Sequence, residues 1–257
     1  MPGYYFSVVI PVADGSVHLL PLTLDLLAQQ KSKFEVIIVD GTHRGISLKG
    51  MAFPVQRIPL PSSHLFTLMN AALPIAQGKY VQFLLPGEFY MSTQSLSWIE
   101  ECARGYAEPD LITSGYFVRH RFEAPTPMLD PLTIECLKRA EVAPTLEPYW
   151  FKTETLQLMG KFSTKYDQKA GLDVLCRFFA APQLKKAHLR RIVTDYEYRR
   201  PRTSTVAKEF SETAAISFKH YGIHFHFFVW MGRSYLRLVR WCAKMLKRCF
   251  WQRHAIS

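Results

Sequence analysis

Residues 64–88 read HLFTLMNAALPIAQGKYVQFLLPGE, and this stretch decides the fold. Residues 64–77 space their apolar side chains as one helical face, and Gly78 stands where a helix stop is expected. KYVQFLL then reads as a buried strand that ends in the turn Pro86–Gly87–Glu88. Upstream the same alternation occurs twice. FSVVIPVAD (6–14) is a β-branched run bounded by Pro11 and Asp14–Gly15, and it hands over to LLPLTLDLLAQQ (19–30). That segment has apolar residues at 20, 24, 27 and 28 and places Pro21 in the first turn of a helix. FEVIIVDG (34–41) is a further strand ending in Asp and Gly. A β-α-β-α-β order within 90 residues predicts an α/β fold, a mostly parallel sheet covered by helices. Ligands of such sheets bind outside the carboxyl ends of the strands. The ends predicted to lie side by side are Pro11–Asp14, Asp40–Thr42 and Pro86–Glu88, with Asp40 and Glu88 projecting into one crevice.

Downstream the pattern predicts a helix over 96–104, a strand at DLITSGYFV, and a Pro-rich loop over 120–148 with one short helix at 131–140. YWFKTETLQLMGKFS restarts as strand and helix closed by Gly160, and AGLDVLCRFFAA follows as a helix. In that helix Asp173 and Arg177 stand at i, i+4, a spacing that supports helices by about 0.2–0.5 kcal/mol. RRIVTDYEYRRPRTST is a basic, strand-like stretch, and one or two helices rich in aromatics and cations end the chain.

Composition narrows the class. The chain has 257 residues, 48% of them apolar and 21% charged, which excludes a disordered chain and a disulfide mini-protein. Its five cysteines are scattered without a CxxC pair, so neither a zinc site nor a disulfide framework is indicated and a reducing compartment fits. The 32 Lys/Arg exceed the 21 Asp/Glu by 11, and eight of those cations but no acid follow Glu212. The tail therefore carries +8 and the first 212 residues only +3. No segment reaches about 18 uninterrupted apolar residues and the first residues lack a signal-peptide pattern, so a cytoplasmic or peripheral membrane protein is expected.

Arg233, Arg237, Arg240, Lys244 and Lys247 form one cationic stripe of a predicted amphipathic C-terminal helix, beside an apolar stripe. Such a helix suits an anionic membrane surface through residues 230–257, or else docks on its own domain with its cations solvated. No nucleic-acid motif accompanies it, and no nucleic-acid partner is expected. His220, His224 and His226 lack a neighbouring carboxylate or cysteine that would complete a metal set, and core or interfacial histidines are expected. There is no GxGxxG, P-loop or HExxH motif.

Taken in order, SVVIPVAD, TLDLLAQQ, FEVIIVDGTH, LFTLMNAALPIAQGKYVQFLLPGE and DLITSG resemble the family 2 nucleotide-sugar glycosyltransferases of GT-A fold, in their bacterial polysaccharide branch. A weaker match continues to YRRPRTST, so the resemblance covers roughly residues 5–205. It implies a nucleotide-sugar-binding half over 1–118, an acceptor half of the same domain over 119–205, and a basic helical segment over 206–257. It also implies an activity: transfer of a sugar from a nucleoside-diphosphate donor to a saccharide or lipid-linked acceptor, with inversion, in surface polysaccharide synthesis.

By the same resemblance Pro11 and Asp40 frame the nucleotide and Asn70 contacts the substrate or crosses to a neighbouring loop. The family's DxD or NxGD cluster holds a divalent cation, Mg2+ or Mn2+, against the diphosphate. Here the stretch reads Leu85–Pro86–Gly87–Glu88, leaving Glu88 to face the metal or phosphates, or to be a solvated turn carboxylate. The family's catalytic base aligns with Gly171, so Asp173, two residues on, or Asp167 is expected to take the acceptor's proton. Two residues turn a helix by roughly 200°, which demands a shifted backbone for Asp173. The missing acids at 85 and 171 keep open an alternative, a GT-A-like scaffold or regulatory partner without turnover.

Overall fold

β1 (Phe6–Val12) and β2 (Phe34–Asp40) are buried along their whole length, as uninterrupted β-branched runs require. Their side chains alternate between two apolar layers. Phe6, Val8, Ile10, Phe34, Val36 and Ile38 face one layer, while Val9, Ile37 and Val39 face the other. The computed structural model describes residues 3–43, 45–46, 51–119, 124–138, 146–197 and 203–222. The first layer is closed by α1 (Leu20–Leu27) through Leu20, Leu24 and Leu27, and by α3 (Ser95–Gly105) through Leu96 and Ile99. The second is closed by α2 (Leu65–Ala72), α5 (Thr153–Met159) and α6 (Ala170–Ala180), with Phe66, Leu68, Leu156, Leu175 and Phe178 at its centre.

Among the described residues the sheet has eight strands: those two with β3 (Val55–Pro59), β4 (Tyr80–Phe83), β5 (Leu111–Arg119), β6 (Thr126–Met128), β7 (Tyr149–Lys152) and β8 (Lys186–Glu197). They run in the order β3-β2-β1-β4-β7-β5-β6, with β8 paired to β5. β3, β2, β1 and β4 are parallel. β7 enters antiparallel between β4 and β5, so β5 again runs with β4, and β8 runs parallel to β5. All these strands except β6 and β7 therefore send their carboxyl ends to one edge. Because the chain leaves β1 towards β2 and β3 and returns to its other side as β4, the switch point of the sheet lies between β1 and β4.

Pro11 fits the interior of this sheet because it lies beyond the last β1–β4 pair, Val9–Phe83. Leu84 N–H donates to Val9 O and Gly41 N–H to Val12 O, so alternate residues of β1 face β4 and β2, and Pro11 faces the side where the ladder has ended. Gly78 serves a purpose other than the expected helix stop. α2 already ends at Ala72 and passes through a 3-10 turn at Leu73–Ile75. A Cβ at 78 would lie 2.4 Å from the backbone of Phe6 and Ser7, so the glycine permits the chain to enter β4 against β1.

The short helix expected at 131–140 is α4 (Ile134–Lys138), and α7 (Thr203–Tyr221) packs on α6 and buries Ile216. The predicted amphipathic helix over 230–257, with His224 and His226, lies outside the described residues. Among the described residues no helix is long and apolar enough to cross a membrane.

Candidate functional site at the carboxyl edge of the sheet

The end of β2 is organised by Asp40, which is 1% exposed. Its Oδ1 accepts from Thr42 N (3.0 Å) and Thr42 Oγ1 (2.6 Å), and its Oδ2 from Ile46 N (3.0 Å). Arg57 of β3 completes the shell, with Nε at 2.9 Å and Nη2 at 2.5 Å from Oδ2. Burial opposes ionisation of this carboxyl, but the Thr42 and Arg57 hydrogen bonds outweigh it and hold the group below the usual carboxylate range. Asp40 thus fixes Thr42 and Ile46 at the mouth of the edge. Gly41 is essential beside them: a Cβ there would sit 2.3 Å from Ser62 O, where the loop after β3 crosses.

The end of β4 is built differently. Gly87 adopts φ +92°, a left-handed conformation suited to glycine. Its N–H donates to Thr23 Oγ1 at 2.9 Å, and that hydroxyl donates to Glu88 O at 2.9 Å, so α1 clamps the turn. The Glu88 carboxyl is buried, 3% exposed, with Oε2 accepting from Leu85 N at 3.1 Å. Burial, followed by the charge and hydrogen bond of Glu147, raises its pKa well above the ordinary value. A second carboxyl beside it disfavours the charged form of Glu88 still further. Glu88 is therefore not a solvated turn carboxylate, and its hydrogen-bond partner is different from those of Asp40.

The ends of β5 and β8 add a third group. Asp195 Oδ1 accepts from Phe89 N at 2.9 Å, and its Oδ2 accepts from Arg119 Nε. Burial raises the Asp195 pKa in spite of these bonds. The Arg119 Nη2 donates to Gly87 O at 3.2 Å and its guanidinium lies 5.4 Å from the Phe89 ring centroid.

Asn70 crosses to a loop, one of its two expected roles. Its Nδ2 donates to Phe162 O and its Oδ1 accepts from Phe162 N, both at 2.9 Å. Asp173 is 2% exposed and surrounded by basic side chains: Lys219 at 2.7 Å, His220 at 2.9 Å and Arg177 at 3.2 Å. Burial opposes its charge, yet the His220 and Lys219 hydrogen bonds hold its carboxyl far below the usual range. A carboxylate so held docks α7 on α6 and is a poor proton acceptor. Gly171, where an acid was looked for, faces apolar Leu146, whose Cδ2 would be 3.0 Å from a Cβ.

Asp167 differs from the other acids because it is 45% exposed. Its Oδ1 lies 3.4 Å from His64 Nε2, and Lys208 pairs with its Oδ2. His64 Nδ1 accepts from Thr67 N at 3.2 Å as the cap of α2, which leaves Nε2 to carry the proton that faces Asp167. Glu212 of α7 pins the same loop, accepting from the N–H groups of Asp167, Gln168 and Lys169 at 2.9–3.0 Å.

A divalent cation does not fit the side chains at the β4 turn. Leu85 offers no oxygen from its side chain, Glu88 is turned inward to Glu147, and among the described residues no three His, Cys, Asp or Glu side chains are grouped to hold a metal. The partners that define this edge, Thr23, Arg57, Arg119, Glu147 and Asp195, were not singled out from sequence, since each acts across the sheet.

No protein-family model matches the chain. No curated protein matches it either. Solved structures do. S. aureus TarS 1–349 in complex with UDP superposes with a TM-score of 0.63 at 14% identity, over 84% of this chain and 64% of that one. The complex of the same protein with UDP-GlcNAc gives 0.63 and 14%, over 84% and 66%. Mannosyltransferase PcManGT from Pyrobaculum calidifontis, in complex with GDP-Man and Mn2+, gives 0.58 and 15%, over 91% and 70%. The chain spans less than two-thirds of TarS 1–349. These likenesses establish the fold, which is GT-A-like.

Proposed function

We propose that the chain is a glycosyltransferase of the family 2 type that takes a sugar from a nucleoside-diphosphate donor. The acceptor in this reading is a saccharide or a lipid-linked saccharide of surface polysaccharide synthesis. The observation that carries the proposal is the coincidence of two features: a carboxyl edge that contains the sheet's switch point and is ordered at the end of β2 by Asp40, and a fold shared with proteins solved with UDP, UDP-GlcNAc and GDP-Man. Pro11 and the Asp40-ordered loop bound the nucleotide, and Asn70 supports the edge through Phe162.

Inversion needs one proton acceptor. The acceptor hydroxyl oxygen attacks the anomeric carbon, its proton passes to a carboxylate, and the bond from that carbon to the diphosphate breaks with its electrons. Asp173 was expected in that role, but its three basic partners hold its carboxyl far below the usual range, which favours Asp167: Lys208 lowers that carboxyl too, but it is far more open to solvent and lies beside His64. The basic residues 230–257 would hold the enzyme on the cytoplasmic face of an anionic membrane. Mn2+ accompanies GDP-Man in the mannosyltransferase, whereas Glu88 here is spoken for by Glu147.

Titration calorimetry with UDP, GDP and their sugars, with and without Mn2+, tests the reading. Micromolar binding that Asp40→Ala abolishes supports it, and no binding to folded protein overturns it. The second reading, a scaffold without turnover, is favoured by the apolar wall against Gly171 and the saturated Asp173. It predicts that a donor-binding chain neither transfers nor hydrolyses the sugar.

A further inference from the structure

The turn after β4 carries a guanidinium where the sequence pattern leads one to expect a metal. Arg119 is the last residue of β5, and β5 runs with β4, so its side chain rises at the same edge as Pro86–Glu88. Three contacts fix it. Nε pairs with Asp195, Nη2 donates to Gly87 O at 3.2 Å, and the guanidinium lies 5.4 Å from the Phe89 ring centroid. Asp195 in turn accepts from Phe89 N at 2.9 Å, so residues 87–89, Arg119 and Asp195 form one clamp. The side chain remains 35% exposed, and Nη1 has no hydrogen-bond partner among the described residues. A guanidinium held in this way offers a planar, always-charged set of donors whose orientation is already fixed. Phosphate oxygens are the ligands such a fork fits best. The carboxylates that would otherwise recruit a cation here are engaged elsewhere: Glu88 with Leu85 N and Glu147, Asp195 with Arg119 itself.

We propose that Arg119 binds the diphosphate of the nucleotide-sugar donor at the end of β4, taking the place that the family resemblance implies for a divalent cation. The inference rests on the reading of the chain as a nucleotide-sugar binder. It makes donor binding independent of metal and sensitive to one arginine.

The test is calorimetry of the full chain with UDP and GDP in EDTA, then in excess Mn2+, for the parent, Arg119→Lys and the double variant Arg119→Gln/Asp195→Asn. The double variant removes both charges together, so no buried carboxylate is left unpaired and the fold is retained, as thermal unfolding would verify. Parent binding should survive EDTA. The double variant should weaken it by about 10- to 100-fold, the loss expected for a hydrogen bond to a charged group. Arg119→Lys should fall between the two, because it keeps the charge and loses the fork. Binding that vanishes in EDTA, returns with Mn2+ and is unchanged in the double variant would overturn the role of Arg119 while leaving the donor site intact. No binding by any form with or without metal would instead overturn the nucleotide-sugar reading itself, and this inference with it.

Discussion

Asp40 and Glu88 end neighbouring stretches of the same edge, two strands either side of β1, and they reach opposite states. Asp40 is met by donors only: Thr42, Ile46 N–H and the guanidinium of Arg57. Glu88 is met by a second carboxyl, Glu147, and by one N–H from Leu85. Both are almost fully buried, so desolvation acts on each in the same direction, and the partners decide the outcome. Its donors favour the ionised form of Asp40, which orders a loop, whereas burial and Glu147 disfavour the ionised form of Glu88, which closes a turn. A carboxylate at a strand end is thus a position, and its chemistry comes from what the rest of the sheet places against it.

The largest effect should come from removing the ionised member. Asp40→Ala removes three hydrogen bonds that hold Thr42 and Ile46 and the two that Arg57 makes, a loss of about 3 kcal/mol that urea unfolding would read. Asp173→Ala extends the comparison to a third buried carboxylate. Its partner Lys219 is half-exposed and can turn to water, so the cost should be nearer 2 kcal/mol, with α7 becoming open to limited proteolysis. Asn70→Ala tests a neutral version of the same device. It leaves both the N–H and the carbonyl of Phe162 without a partner, a loss of about 1–2 kcal/mol by the same measurement.

The smallest effect, and the one that sharpens the contrast, is in pH. The Glu88 pKa is raised on folding, so ionising it costs stability that grows as pH climbs from the usual carboxylate range through the folded value. Glu88→Gln should therefore unfold at the same temperature as the parent near pH 4 and at a higher one near pH 8. Asp40 runs the other way. Its pKa is lowered, so its contribution is complete above the ordinary carboxylate range and is lost as pH falls through the folded value. Thermal scans of the parent and Asp40→Asn should converge as the pH is lowered.

The buried runs FSVVIPV and FEVIIVD were legible because a strand covered on both faces must be apolar throughout. The helix-to-strand passage at 65–83 and the turn at Pro86–Gly87 were legible for similarly local reasons. β3 was not. Its VQRIP sequence is partly exposed and ends in proline, so it carries no strong period, and with it went the identity of Arg57 as the partner of Asp40. The antiparallel entry of β7 was equally hidden, because an apolar run does not record strand direction. Glu147 precedes β7 and Asp195 lies on β8, so the acids that set the state of Glu88 became neighbours only once those strands were placed. Asp173 read correctly as a partner of Arg177, while Lys219 and His220 arrive from α7 and depend on how that helix docks.

Hydrogen–deuterium exchange of the full chain, with and without UDP- and GDP-sugars, tests the central claim most directly, because it locates the donor without presuming which side chain binds it. The account predicts new protection in the 41–46 loop and across 85–90, and none at the opposite edge around 76–79 and 105–110. Protection confined to that opposite edge, or none with any donor at saturating concentration, would contradict it.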